Sequence, residues 1–226
     1  MSARVRVLGD RNLDYLSHRE LDAALALFPD GVSAGWVASD APGAADLREV
    51  DGLWVAPGSP YRNDDAVLAA LRAARESRVP LLATCGGFQY AVLELARNVA
   101  GLASAGHAEV APSAEDLVVA PLACSLFGQV RRVQPVAGTR FAEIVGTDPF
   151  DGTHYCSFGA SARYVPRLRE AGLVESAHAP DAGLEAFELR GHPFYFATLF
   201  QPQAGASQSG VLHPLIRAFV DAASQG

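Results

Sequence analysis

The chemistry in this chain is most visible around one cysteine. In Leu82-Ala83-Thr84-Cys85-Gly86-Gly87-Phe88 an apolar run that reads as a buried strand passes into a helical pattern through Cys85 and two glycines. That is the pattern of a nucleophile elbow: the turn is strained, its neighbours must be small, and the side chain is lifted out of the sheet. A thiol placed there meets the partial positive charge of a helix N-terminus, which favours thiolate. The backbone N–H of Gly86 faces the same point and is a candidate oxyanion donor. The chemistry expected is covalent attack on a carbonyl-like carbon.

Few other groups compete for that role. All 18 basic residues are arginine, which excludes a Schiff-base lysine, a Ser-Lys dyad and a P-loop lysine. The cysteines Cys85, Cys124 and Cys156 form neither a disulfide framework nor a zinc-binding pattern, so no metal or cofactor is expected. Cys124 lies in an apolar run and is expected in the core. The candidate proton acceptors are His18, His107, His154, His178, His192 and His213. A formal net charge of -7 argues against a nucleic-acid partner. The apolar runs, about ten residues at most, fall short of the ~20 needed to span a bilayer. The N-terminus leads straight into a strand-like run without a signal-peptide pattern. The expectation is a cytoplasmic protein with reduced thiols and no membrane partner.

The elements that must position Cys85 follow from periodicity. Residues 5–8, 32–38, 53–56 and 79–83 read as strands, and residues 18–27, 64–78 and 88–99 as helices, the first with Ser17 as a candidate cap. Leu68, Leu71 and Ala74 share one face of the second helix. This alternation predicts a parallel sheet covered by helices on both faces. Residues 105–158 are less regular, with β segments at 117–120 and 129–136. Residues 165–171 read as a helix, residues 174–178, 184–189 and 194–200 as a meander at the sheet edge, and residues 211–223 as a closing helix. A single domain over residues 1–226 is expected.

Residues 85–99, Cys-Gly-Gly-Phe-Gln-Tyr-Ala-Val-Leu-Glu-Leu-Ala-Arg-Asn-Val, closely resemble the nucleophile helix of the glutamine amidotransferase domain of CTP synthase. Leu8-Gly9-Asp10 through Ser17, Trp54-Val55-Ala56-Pro57-Gly58-Ser59, Tyr164-Val165-Pro166 and His192 through Thr198 extend the likeness over nearly the whole chain. More narrowly, the chain resembles a stand-alone group of CTP synthase C-terminal-region-related proteins, some of them selenoproteins. The resemblance implies an α/β fold: a flavodoxin-like, doubly wound, mostly parallel sheet of the class I glutamine amidotransferase type. It implies Gly58 and Gly86 as oxyanion donors, Glu109 as the holder of a substrate ammonium, and Gln89 as a pocket wall. His192 is implied to be structural. An arginine that precedes a tyrosine and grips a substrate carboxylate is matched by His154 before Tyr155.

One departure dominates. The family's proton-shuttling histidine and its orienting glutamate come from Phe-His-Pro-Glu, and here the run is Phe200-Gln201-Pro202-Gln203. Loss of a general base costs ~10²–10⁴ in rate. His154 and His107 are the histidines expected nearest the pocket. The function expected is therefore a Cys85-dependent hydrolase or transferase acting on a small amino-acid-like amide or related ligand, not a standard glutaminase. Two other readings stand beside it. One is a non-catalytic ligand-binding or regulatory protein. The other is a thiol redox protein using Cys85, with Cys156 as its resolving thiol. The partner expected is a second copy of the chain or a separate synthetase that would accept ammonia.

Overall fold

β1 (Ala3–Leu8) buries Ala3, Val5 and Val7 on alternate positions and lies parallel to both of its neighbours, β2 (Val32–Val37) and β3 (Gly52–Val55). Beyond β3 the sheet continues in parallel through β4 (Leu81–Thr84) to β12 (Tyr195–Thr198). Every residue of β3, β4 and β12 is buried, as strands covered on both faces require. The computed structural model describes residues 2–225.

The cover comes from four helices. α2 (Asp64–Ser77) and α3 (Gly86–Asn98) pack on one face, where Val67, Leu71, Phe88 and Val92 meet Leu53 and Val55. α1 (Leu16–Leu25) and α7 (Pro214–Ala223) pack on the other, where Leu21, Leu215 and Phe219 meet Trp54 and Phe196. The alternation of Leu53, Trp54 and Val55 between the two cores is the period-two pleat of β3. α2 starts as its sequence dictates: Asn63 accepts from the Ala66 N–H, and Asp64 and Asp65 sit in the first turn.

From β12 the sheet turns antiparallel, through β11 (Gly183–Leu189), β10 (Leu173–Ala179), β7 (Gln129–Pro135) and β8 (Phe150–His154). The full order is β2-β1-β3-β4-β12-β11-β10-β7-β8. The α/β fold is the one expected, and the sheet is mixed: parallel from β2 to β12 and antiparallel from β12 to β8, with short connections joining β10 to β11 and β11 to β12 and longer segments reaching β7 and β8. The late meander lies inside the sheet and not at its edge, because β7 and β8 pair beyond it. A second sheet of β5 (Ala105–His107), β6 (Asp116–Pro121) and β9 (Phe158–Ala160) stands beside α3. α4 (Arg140–Val145), α5 (Val165–Glu170) and α6 (Ala206–Ser209) complete the elements.

Two local expectations are corrected. α1 starts at Leu16 with Tyr15 at its N-cap, so Ser17 is a buried first-turn residue and not the cap. Cys124 is exposed, because the apolar run around it is a loop between β6 and β7, and Leu126 takes the core position. Among the described residues no helix is long and apolar enough to cross a membrane.

Candidate functional site

Cys85 follows the last residue of β4 with φ 54 and ψ -107, and α3 begins at the next residue. A positive φ is uncommon outside glycine and costs on the order of 1–3 kcal/mol. The surroundings enforce it. The Cys85 N–H donates to the Thr198 carbonyl of β12 at 2.8 Å, and the Cys85 carbonyl accepts from the Gln89 N–H at 3.2 Å. The paired glycines have a steric cause. A Cβ on Gly86 would stand 2.2 Å from the Gly58 carbonyl oxygen, and one on Gly87 would stand 2.5 Å from the Val55 carbonyl oxygen. Only glycine lets the segment after β3 close onto the N-terminus of α3.

That segment is tied down from below. His18 Nε2 donates to the Pro57 carbonyl at 2.8 Å while Nδ1 accepts from the Asn12 N–H at 2.9 Å. Both ring nitrogens are thus used in the neutral imidazole, and burial lowers its pKa further. The Tyr61 hydroxyl donates to the Ala56 carbonyl at 2.6 Å. His18 and Tyr61 therefore position the Pro57–Gly58 backbone. Sequence reading missed both, since an isolated histidine or tyrosine at a core position gives no signal of what its polar tip reaches.

The sulfur of Cys85 meets the Cys156 thiol, the side-chain amide of Gln201 and the N–H of Gly86. The Cys156 contact is the main cause that holds the Cys85 pKa below the ordinary thiol value. Burial opposes it, Gln201 and the Gly86 N–H reinforce it, and the Glu109 carboxylate works against it. The same contact, together with burial, pushes Cys156 upward. Of this thiol pair Cys85 ionises first, and Cys156 keeps its proton.

Opposite the thiol, Gln203 Nε2 donates to Gln201 Oε1 at 2.9 Å. Gln201 is 3% exposed. Its Nε2 faces the sulfur, yet forms no well-made hydrogen bond among the described residues. The Gln201 N–H donates to the Thr153 carbonyl of β8 at 2.9 Å, which fixes the segment beside that strand.

His154 is placed differently from expectation. It is fully buried, its Nε2 lies 2.9 Å from each Glu185 oxygen, and it does not line the pocket. A buried carboxylate requires a donor, and His154, at the end of β8, turns to Glu185 on β11 while Tyr155 reaches the pocket. Its Nδ1 has no partner among the described residues. His107 also lies off the pocket lining. Its Nε2 is 3.0 Å from Gln89 Oε1, the ring packs beside Tyr90 and Phe158, and burial lowers its pKa to about 4. It is neutral at physiological pH and positions Gln89.

The structure gathers Gly58, Cys85, Gln89, Glu109, Tyr155 and Gln201 around one cavity of about 460 Å³, a size suited to a small ligand. Gly86 lies beneath the thiol, and Gln203 behind Gln201. The Ser59 hydroxyl donates to Glu109 at 2.9 Å, and Gln89 Nε2 donates to the Phe158 carbonyl at 2.8 Å. Cys156, Tyr15, Phe127 and Phe158 join the lining. The last three were missed because nothing in their sequence setting separates them from packing aromatics. Among the described residues no group of three or more His, Cys, Asp or Glu side chains is placed to hold a metal ion.

Comparison with known proteins gives this arrangement a context. The family model described as glutamine amidotransferase class-I matches residues 27–207. The CTP synthase of Methanospirillum hungatei is 32% identical over 198 residues, which is 84% of this chain and 37% of that protein. The CTP synthase of Rubrobacter xylanophilus is 36% identical over 207 residues, again 84% of this chain and 37% of that protein. The chain thus spans little more than a third of the length of these relatives. Among solved structures, the glutaminase domain of the Trypanosoma brucei CTP synthase, with bound acivicin, has the same fold. The TM-score is 0.83 at 24% identity, covering 99% of this chain and 94% of that one.

Proposed function

The chain belongs to the class I glutamine amidotransferase family, and from that premise we propose that it is a cysteine-dependent acyl-transfer enzyme, a hydrolase or transferase of small amides and related compounds, and not a standard glutaminase. The observation that carries this reading is the Cys85 thiol at a strand-to-helix elbow, open to a cavity on whose lining no histidine stands among the described residues. In the usual arrangement a histidine takes the nucleophile's proton and later gives it to the leaving group. Here the Cys156 thiol and the Gly86 N–H lower the thiol pKa, which lessens the need for a base. Departure of an amine still needs an acid, and neither Gln201 nor Gln203 can supply a proton.

The chemistry that follows is selective for leaving groups. Cys85 Sγ bonds to the acyl carbon, and the amides of Gly86 and Gly58 hold the developing oxyanion. The bond to the leaving group breaks with its electron pair, and the leaving group takes a proton from water in the open pocket. A second water, or an acceptor nucleophile, then releases the acyl group and restores the thiol. Esters and thioesters leave without prior protonation and are favoured over plain amides.

A second reading has its own support. Cys85 and Cys156 are both free and in contact. A hydroperoxide would oxidise the Cys85 thiolate to a sulfenic acid, and Cys156 would displace water to close a disulfide.

One experiment addresses both. The protein is incubated with matched amides, esters and thioesters, and Cys85 is followed by mass spectrometry. An acyl adduct on Cys85 is expected, with ester turnover exceeding amide turnover by ~10² or more. Equal activity in Cys85→Ala would overturn the acyl-transfer reading. The same spectra after hydroperoxide exposure without reductant read the second: a Cys85–Cys156 cross-link supports it, and its absence removes it.

A further inference from the structure

We infer that this site takes an acyl donor bearing an ammonium group and no carboxylate, so that its substrate is a cationic ester, thioester or amide and not a zwitterionic amino acid. The inference rests on the acyl-transfer reading and specifies the substrate class of the same site. It narrows the amino-acid-like ligand expected from the sequence.

The charge on the lining is one-sided. Asp14 and Glu109 line the cavity, and among the described residues no arginine or histidine does. When Cys85 ionises, its thiolate adds a further negative charge. Ser59 holds Oε2 of Glu109 and leaves Oε1 for a ligand. His154 is spent on Glu185 inside the protein, and His18 on the Pro57 carbonyl. Arg11 and Arg62 line the neighbouring cleft and are paired with Asp22 at 2.7 Å and Asp40 at 3.9 Å. A substrate carboxylate in this cavity would meet like charges and, among the described residues, no cationic side chain on the lining.

The remaining lining fits a cation. The rings of Tyr15, Phe127, Tyr155 and Phe158 face the same cavity. Phe127 and Tyr155 stand edge to face at 5.5 Å, and Phe127 is 69% exposed, which puts this pair at the rim. Ring faces attract ammonium ions, and carboxylates behind such rings strengthen the attraction. Deeper in, Gln201 Nε2 is a buried donor without a partner among the described residues. It satisfies one neutral acceptor, such as the carbonyl or leaving-group oxygen of the donor, and carries no charge to offset a carboxylate. The cavity thus recognises an ammonium at its mouth and an acyl group at its floor. The ammonium stays unreacted on the acyl chain while the C–S bond forms and the leaving group departs as described above.

Three chloromethyl ketones of equal chain length test this. One carries an ammonium only, one both ammonium and carboxylate, and one a carboxylate only. Each alkylates Cys85 with loss of chloride, and mass spectrometry gives the rate. The cationic ketone is expected to label about tenfold faster than the zwitterion, the difference made by one ion pair gained and one repulsion avoided. The anionic ketone is expected to be slowest. Glu109→Gln is expected to shrink the cation-to-zwitterion ratio. Because a ratio is read, changes in thiol reactivity cancel. A zwitterion that labels as fast as the cation, or a ratio that Glu109→Gln leaves unchanged, overturns the inference. So does failure of all three ketones while iodoacetamide still alkylates Cys85. Ester turnover without charge preference would keep the acyl-transfer reading and end this inference. Charge-selective labelling without turnover would do the reverse.

Discussion

One wall of the pocket rises from the parallel half of the sheet and the other from the antiparallel half, and the two differ in what makes their chemistry. The first wall works through backbone. Cys85 at φ 54, the Gly86 amide and the Gly58 turn are fixed by strand pairing and by Gly86 and Gly87, which nothing larger can replace. The second wall works through side chains. Gln201, Gln203, Cys156 and the internal pair His154–Glu185 occupy it. Backbone geometry cannot change without changing the fold, whereas side chains on the second wall can be exchanged while the frame persists. The Gln203-to-Gln201 hydrogen bond of 2.9 Å shows how. The two residues touch as a donor and an acceptor, and neither side-chain amide can take up or release a proton at neutral pH.

If the walls are separable in this way, restoring the proton carrier should restore its chemistry. The double variant Gln201→His with Gln203→Glu puts an imidazole against the Cys85 thiol and a carboxylate behind it. Release of ammonia from a small primary amide is expected to rise by ~10²–10⁴, the usual contribution of a positioned general base. No gain would mean that the second wall has changed in backbone as well as in side chains, and the comparison would break there.

The interior of the second wall is also where stability is most exposed. Glu185 is fully buried, and His154 is its partner. Glu185→Ala strands the imidazole and is expected to cost ~3–5 kcal/mol, read as a lower midpoint in denaturant unfolding. Glu185→Gln keeps an acceptor and should cost less. A loss near zero for Glu185→Ala would show that the wall tolerates an unpaired polar group, and that His154 is free to move towards the pocket.

The sequence was legible along the same division. Cys85 and Gly86 could be read because β4 and α3 are strongly patterned and close backbone approach demands glycine at Gly86 and Gly87, whereas Gly58 was read from the family resemblance. Gln201 and Gln203 were visible as departures from a known pattern. His154 was misplaced because strand alternation decides which way a side chain turns, and β8 falls in a stretch of weak periodicity. The roles of His18 and Tyr61 were invisible, since each depends on a carbonyl that only the folded chain brings near. Of the antiparallel half, β7, β10 and β11 were read as strands and β8 was not, and the order was invisible because the β7–β10 and β7–β8 pairings join segments separated by helices and leave no local mark.

The finest test asks which wall makes the thiolate. Helix position alone would assign it to the first wall, through the Gly86 N–H and the N-terminus of α3. The Cys156 thiol lies against the Cys85 sulfur, and Gln201 Nε2 faces it without a well-made hydrogen bond, which assigns the larger part to the second. A lowered thiol pKa means that the thiolate fraction, and with it the alkylation rate, rises with pH and levels off below the ordinary thiol value. In wild type the midpoint of the iodoacetamide rate is expected on that low side. Cys156→Ala removes the leading donor and should move the midpoint upward, and Gln201→Ala should move it upward by less. Neither variant disturbs the Cys85 backbone, whose partners are Thr198 and Gln89. If both variants keep the low midpoint, the α3 N-terminus suffices. The first wall would then supply nucleophile, oxyanion donors and charge together, leaving the second wall to shape the substrate alone.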